Sequence, residues 1–257
     1  MLKIIVSGCN GHMGRVVAGL CAADPQVEVV AGFDVMGAGD GSFPVYASPA
    51  QFQGKADAVI DFSSPAALDG LLEFAKTTKT PLVLATTGYT PEQVAQIGAA
   101  ALEAPIFRSA NMSLGINVLL ELVKKAASVL GDSYDIEIVE RHHRRKVDAP
   151  SGTAIHTAHG IAEARKAAGL APVPDATETD GGSRGQVVDG IHVHAVRLRG
   201  LNAHEEVLFG NAGEQLTIRA DSFDRTSFMP GVLLAVRKLA GDAPAGLTIG
   251  LDHFLDL

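Results

Sequence analysis

The chain has 257 residues, 47% of them hydrophobic and 19% charged, which is enough apolar material to bury the core of one large domain or two modest ones. A formal net charge of −8 argues against a general nucleic-acid or membrane-surface role, because either favours a basic face; any anion-binding function must be local. Cys9 and Cys21 are the only cysteines, too few for a disulfide framework and in keeping with a reducing compartment. No apolar run approaches the roughly 20 residues of a membrane span. The opening MLKIIVSGCNG lacks the long apolar core of a secretory signal. The expected location is cytoplasmic, with no membrane or nucleic-acid partner.

Leu2–Ser7 reads as a buried strand, followed by a glycine loop and a helix over about Met13–Ala23. Val27–Asp34 and Ala58–Ser63 are further strands. A helix starts near Pro65, where proline suits a first turn. Pro81–Thr87 is a strand, a helix begins near Pro91, and Ala104–Asn111 is one more strand. Such alternation predicts a parallel sheet covered on both faces, an α/β domain.

The loop itself places Gly8, Gly11 and Gly14 in a GxxGxxG spacing at a strand–helix junction. Glycine allows a tight turn and a close approach to a pyrophosphate, and the helix N-terminus adds free N–H groups and a positive dipole end. Asp34 closes the next strand 26 residues after Gly8, as expected of a carboxylate that binds ribose hydroxyls. A tight structural turn is the plain alternative; the context favours dinucleotide binding. A carboxylate at Asp34 with Val35 and Met36 after it, and no local cation unless His12 or Arg15 bends over, predicts NADH over NADPH. Ala85-Thr86-Thr87-Gly88 and Ser109-Ala110-Asn111-Met112-Ser113 end two later strands on the edge where ligands collect. Each is also readable as an ordinary strand-to-helix turn, with Ser113 as N-cap.

After Asn111 the pattern changes. Leu114–Leu130 is a long amphipathic helix and Asp135–His143 a strand; a helix runs from Ser151 or Gly152 to about Ala168. Residues 171–190 read as a long loop. Three strand-like segments follow, IHVHAVRLR, HEEVLFG and EQLTIRADS. In the last, Leu216, Ile218 and Ala220 alternate with polar residues, as in a half-buried antiparallel sheet. A final helix covers about Phe228–Ala240.

The densest charge is Arg141-His142-His143-Arg144-Arg145-Lys146, within ERHHRRKVDAPSGTA, Glu140–Ala154. Charge runs usually form solvated turns. This one ends a strand and lies five residues before Ser151-Gly152-Thr153, a helix start that is itself an anion site. A small ligand with more than one carboxylate suits that arrangement better than nucleic acid, for which the chain has neither an extended basic stripe nor interleaved aromatic residues. Metal binding is disfavoured by the neighbouring cations and by the opposed directions of His142 and His143 on a strand. His192 and His194 share a strand face with His204 beyond, and are expected to line a sheet or contact substrate rather than bind zinc. Histidine exchanges protons near neutral pH, and a lysine among cations has its charged form disfavoured. His142, His143 and Lys146 are therefore candidates both to bind an anion and to supply a proton.

The motif ERHHRRKVDAPSGTA resembles the signature of the 4-hydroxy-tetrahydrodipicolinate (dihydrodipicolinate) reductase family, and the resemblance extends to the glycine loop, the two later turns and the chain length. It implies hydride transfer from NADH or NADPH to C4 of a cyclic imine dicarboxylate with loss of water, a step of lysine and diaminopimelate biosynthesis. By resemblance, His142 is a proton donor/acceptor, Lys146 a proton donor and His143 a substrate ligand, and Gly152 and Thr153, with Ser151 at the same helix start, hold a substrate carboxylate. Gly8, Cys9, Asn10, Gly11, His12 and Met13, together with Asp34, Ala85, Thr86, Thr87, Ser109, Ala110, Asn111 and Met112, contact the cofactor. The implied fold is a Rossmann-type doubly wound parallel sheet, residues 1–113 and 226–257, plus a central α+β domain with an open mixed sheet, residues 114–225, that binds substrate and assembles a homotetramer. Val35 and His12 stand where some members carry arginine, which keeps the expectation of NADH. Another nucleotide-dependent reductase with an anionic substrate, or a nucleotide-sensing DNA binder, is the alternative; the latter lacks a basic face.

Overall fold

The computed structural model describes residues 1–37, 39, 41–173, 183–241 and 243–255. The chain divides into two compact units, Met1–Ser113 with the chain from Phe228 onward, and Leu114–Ser227.

In the first unit the strands are β1 (Leu2–Ser7), β2 (Val27–Phe33), β3 (Val45–Tyr46), β4 (Ala58–Asp61), β5 (Leu82–Leu84), β6 (Pro105–Arg108) and, from the chain's far end, β12 (Gly246–Ile249). They form one sheet ordered β12-β6-β5-β4-β1-β2-β3, every neighbouring pair parallel. The helices are α1 (His12–Ala23), α2 (Leu68–Thr78), α3 (Pro91–Ala100) and α6 (Met229–Leu239). Ile5, Val59, Leu82, Leu84 and Ile106 pack against the apolar stripes of α2 and α3. α1 lies on β1 and β2, and α6 on β4, β5 and β6. Covered this way, β1 and β4 are almost continuously buried, which is why they read as unbroken apolar runs. Strand order reverses beside β1, so the loop leaving β1 sits at the topological switch point, where doubly wound sheets bind ligands. The two edge strands β3 and β12 are additions to the sequence reading. Two and four residues long, they are too short to show a period of two, and only their partners make them strands.

The second unit contains α4 (Leu114–Leu130), β7 (Asp135–His143), α5 (Gly152–Ala167), β8 (Gln186–Val188), β9 (Ile191–Leu198), β10 (Ala203–Asn211) and β11 (Glu214–Ser222). The sheet order is β11-β10-β7-β9-β8. β10 is antiparallel to β11 and β7, β8 is antiparallel to β9, and β7 runs parallel to β9, so the sheet is mixed. α4 and α5 bury one of its faces through Leu119, Val123, Ala158 and Ile161 against Ile136, Ile138, Val193 and Phe209. Two expectations need correction. The segment read as a loop over 171–190 contains β8, and its residues 174–182 lie outside those described. Leu216, expected to face inward, is 38% exposed and outside the core cluster, on β11 at the sheet's edge; Ile218 and Ala220 do pack against the core. Among the described residues no helix is long and apolar enough to cross a membrane.

Candidate active site

The first cluster forms at the carboxyl end of β1. Gly8 has φ +74, and a Cβ there would lie 2.8 Å from the Phe62 carbonyl oxygen and the Ser63 Cα. Gly14 is tighter still: a Cβ would come within 2.1 Å of the Gly8 carbonyl oxygen. Both positions therefore require glycine, one for its left-handed backbone and one so that α1 can pack onto the loop. Gly11 caps α1 without any side chain, and no acid stands in the first turn, so that end of the helix is clear to receive an anion. Asp34 ties the loop to β2. Its Oδ2 accepts from the Asn10 N–H at 3.0 Å and its Oδ1 from the Met36 N–H at 2.9 Å. A cleft of about 580 Å³ opens between Gly8, Asn10, Gly11, Asp34 and the chain after β4, and Asp34 is the one charged residue among the described residues that line it. Val35 and Met36 beside it are exposed. These features fit the pyrophosphate and ribose of a dinucleotide.

Not every expected cofactor residue joins this cleft. Cys9 is buried, its sulfur packed where a side chain on Gly32 would stand, so only its backbone serves the loop. His12 and Met13 form the first turn of α1. Ala85, Thr86 and Thr87 leave β5 farther along the same sheet edge; the Ala85 N–H donates to the Asp61 carbonyl at 3.0 Å. Ser109 and Asn111 leave β6 in a self-supporting turn. The Ser109 hydroxyl donates to the Asn111 carbonyl at 2.9 Å, and Asn111 Oδ1 accepts from the Ser113 N–H at 2.9 Å. Ala110 lies within this turn, and the Met112 side chain is buried. All leave carboxyl ends of parallel strands, but none lines the Asp34 cleft.

The second cluster is the loop from β7 to α5. Ser151 caps α5, its Oγ accepting from the Ala154 N–H at 3.1 Å. Asp148 Oδ2 accepts from the Gly152 N–H at 3.3 Å and pairs with Lys146 Nζ at 2.9 Å. Its carboxyl is held below the ordinary range, first by the Lys146 hydrogen bond. Thr153 follows in the first turn. The Ala149–Pro150 peptide is cis.

The basic run is less free than its composition implies. Arg141 pairs with Glu206 at 2.5 Å and His142 Nδ1 lies 2.6 Å from Glu140 Oε2. Lys146, expected to be crowded by cations, has the Asp148 carboxylate instead. Arg144 and Arg145 are exposed. Burial, then the charges of Arg145, His142, Arg225 and Lys146, lowers the pKa of His143, so its ring is neutral near pH 7. His192, His194 and His204 hold to acids or backbone. His194 Nε2 is 2.8 Å from Glu137 Oε2, His204 Nδ1 is 2.6 Å from Asp221 Oδ1, and His192 Nδ1 is 2.9 Å from the Arg184 carbonyl. No group of three or more His, Cys, Asp or Glu side chains is placed to share a metal ion among the described residues.

Two residues of this cluster were not singled out in the sequence. Glu140 is fully buried, and Arg197 grips it with both terminal nitrogens at 2.6 and 2.7 Å. Burial alone would push the Glu140 carboxyl up; the bonds and charges of His142 and Arg197 outweigh it and leave it lowered. The signal for Glu140 was present: Ile136, Ile138 and Glu140 share one strand face, and a carboxylate in register with a core demands a partner. Arg197 had no such signal, since only the parallel pairing of β7 with β9 sets it opposite His142.

The family description "Dihydrodipicolinate reductase, N-terminus" matches residues 2–112, and "Dihydrodipicolinate reductase, C-terminus" matches residues 115–255. A 4-hydroxy-tetrahydrodipicolinate reductase of Bifidobacterium longum is 56% identical over 264 residues, covering 100% of both chains. One from Beutenbergia cavernae is 44% identical over 265 residues, covering 100% of this chain and 99% of its own. Among solved structures, a dipicolinate-bound dihydrodipicolinate reductase from Paenisporosarcina sp. TG-14 superposes with a TM-score of 0.84 at 31% identity, covering 99% of this chain and 100% of that one. A Corynebacterium glutamicum DAP dehydrogenase shares the fold alone, with a TM-score of 0.56 at 14% identity over 98% of this chain and 93% of that one. On these matches, which take in both halves of the chain, the protein belongs to the dihydrodipicolinate reductase family.

Proposed function

We propose that the protein reduces 4-hydroxy-tetrahydrodipicolinate to tetrahydrodipicolinate with release of water, a step in lysine and diaminopimelate biosynthesis. One observation carries the reading at the level of chemistry. A single carboxylate oxygen, Asp148 Oδ2, is held at once by Lys146 Nζ and the Gly152 N–H, the groups assigned to substrate. The loop therefore already coordinates a carboxylate of its own, and a substrate carboxylate takes the same donors. The full-length relatives named for this reaction, and the relative with dipicolinate bound, support a dicarboxylate ligand.

The unit comprising Met1–Ser113 and the chain from Phe228 binds the dinucleotide through Gly8–Met13, Asp34, Ala85–Thr87 and Ser109–Met112. The reduced nicotinamide supplies the hydride received at C4. The unit Leu114–Ser227 binds the dianion through Lys146, His143 and the Ser151–Thr153 turn. His143, neutral near pH 7, contributes hydrogen bonds without charge. As the C4 hydroxyl leaves, His142 and Lys146 supply and relay the proton that makes it water. NADH is preferred, because Asp34 accepts the 2′-hydroxyl and repels a 2′-phosphate, and the cleft offers no cation among the described residues. The assembly, by family likeness, is a cytoplasmic homotetramer.

The test is oxidation of NADH and of NADPH by the purified protein, with the substrate generated from pyruvate and aspartate semialdehyde by the preceding synthase. Synthase-dependent loss of reduced cofactor, faster with NADH, is expected. No loss with either cofactor, from a folded protein that still binds NADH, refutes the reading.

A further inference from the structure

Behind the proposed proton donor lies a carboxylate that the reaction itself does not call for. Glu140 has no exposed surface and accepts from three elements. Oε2 takes His142 Nδ1 at 2.6 Å and Arg197 Nη1 at 2.6 Å; Oε1 takes Arg197 Nη2 at 2.7 Å and the Ser151 N–H at 3.0 Å. The two parallel bonds from Arg197 are the planar fork that fixes a carboxylate's orientation as well as its charge. Arg197 Nη2 also donates to the Asp148 carbonyl at 2.6 Å, so the same guanidinium anchors the backbone of the anion-binding loop.

We propose that Glu140, oriented by Arg197, is the positioning residue of the site: it holds His142 in the tautomer that presents Nε2 for proton exchange and ties that histidine to the N-terminus of α5 in one rigid frame. The proposal rests on the reading of His142 as the proton donor/acceptor. An ionised carboxylate can only accept, so the hydrogen of the imidazole sits on Nδ1 and Nε2 becomes the exchanging atom. Through Ser151, the same carboxylate fixes the start of the helix whose next N–H, that of Gly152, is assigned to substrate. One buried group thus sets the distance between proton source and anion site. A purely structural ion pair would have required neither the histidine contact nor the loop contact.

The experiment uses the full-length protein with 15N-labelled histidine, and compares E140Q, H142Q and E140Q/H142Q. H142Q identifies the His142 signals. In the wild type His142 should show the Nδ1-protonated tautomer with a strongly hydrogen-bonded N–H; in E140Q that signature should vanish. E140Q should lower kcat by about 100-fold, the usual scale for a partner that orients a reacting group, with the Kd for NADH unchanged. At saturating substrate the double variant should have a kcat no lower than that of H142Q alone, since Glu140 reaches the proton step only through His142; its contact with Ser151 should show instead as a higher KM. Because removing one charge of a buried pair can prevent folding, E140Q/R197M, which removes both, serves as the second variant, with the same losses expected. A folded E140Q or E140Q/R197M with near-wild-type kcat and an unaltered tautomer, while H142Q is inactive, overturns the role of Glu140 and leaves the assignment of His142 standing. Near-wild-type turnover in H142Q overturns that assignment, and the proposal with it.

Discussion

Glu205 should make the folded protein lose stability as pH rises toward neutrality, and Glu205→Gln should abolish the effect. The carboxyl is buried at 2% exposure and faces Glu140 across the β7–β10 pairing. Oε1 accepts from the Thr157 hydroxyl at 2.6 Å, while Oε2 is buried without a hydrogen-bond partner. Arg197 is committed to Glu140, so among the described residues no cation compensates a charge at Glu205. Burial, reinforced by the charge of Glu140 and opposed by the Thr157 bond, raises its pKa from 4.5 to about 7. The unfolded chain releases this proton near pH 4.5, and the folded protein keeps it until about pH 7. Between those values the folded state binds more protons, so stability declines with rising pH and levels off above 7. At 1.36 kcal/mol per pH unit the full span is worth about 3 kcal/mol. Glutamine cannot ionise, and every other titrating group is common to both proteins. From pH 5 to pH 8 the stability of E205Q relative to wild type should rise by about 2–3 kcal/mol, or on the order of 5–10 °C in Tm. Thermal and urea unfolding at fixed protein concentration measures the gap. A gap independent of pH would refute the argument, whatever its absolute size, because it would mean that Glu205 is either ionised throughout or relieved by a partner.

The other predictions concern the reaction and its cofactor. H142Q and K146A should each lower kcat by about 10²–10⁴-fold while leaving the Kd for NADH unchanged; steady-state kinetics beside NADH fluorescence titration reads both, and near-wild-type turnover in either variant removes that residue from the proton path. V35R should raise NADPH use relative to NADH, because it sets a cation beside Asp34 at an exposed position; an unchanged ratio of kcat/KM values would show that the 2′-phosphate is handled elsewhere. G14A should weaken NADH binding and cost about 1–3 kcal/mol of stability, since its Cβ would lie 2.1 Å from the Gly8 carbonyl; unaltered NADH affinity by calorimetry would mean that α1 can withdraw without spoiling the loop.

What the sequence made legible, and what it did not, follows the range of the forces involved. β1, β4 and the glycine loop are local statements: a run of buried apolar residues, then glycines whose backbone or close packing no other residue accepts. The same holds for the Ser151 cap of α5, which needs only its own next turn. β3, β8 and β12 are different. Each is four residues or fewer, and each exists because a longer strand offers it a ladder, so the information lies in the partner's sequence. Leu216 shows the limit of periodicity from another side: alternation can say which residues share a face of β11, but whether that face is covered depends on how far α4 and α5 reach across the sheet.

Charge is where composition misleads most. Counted along the chain, Arg141–Lys146 is a block of four cations and two histidines awaiting an anion. In the fold, cross-strand pairing gives Arg141 to Glu206, strand alternation gives His142 to Glu140, and the loop after β7 gives Lys146 to Asp148, while burial lowers the pKa of His143. Of that block only Arg144 and Arg145 stay exposed, so on the proposed assignment a dianionic substrate meets little spare positive charge. It meets donors already aligned by internal carboxylates, one of which, that of Asp148, holds the very atoms a substrate carboxylate needs. On the proposed assignment, binding is an exchange of one carboxylate for another, nearly neutral in charge, and its specificity comes from the geometry of Lys146 and the α5 N-terminus rather than from long-range attraction. This explains how a protein with a formal net charge of −8 can take an anion without a basic surface: the repulsion to be overcome is screened within about 10 Å at ordinary salt, and the final contacts are short, charge-assisted and fixed in advance.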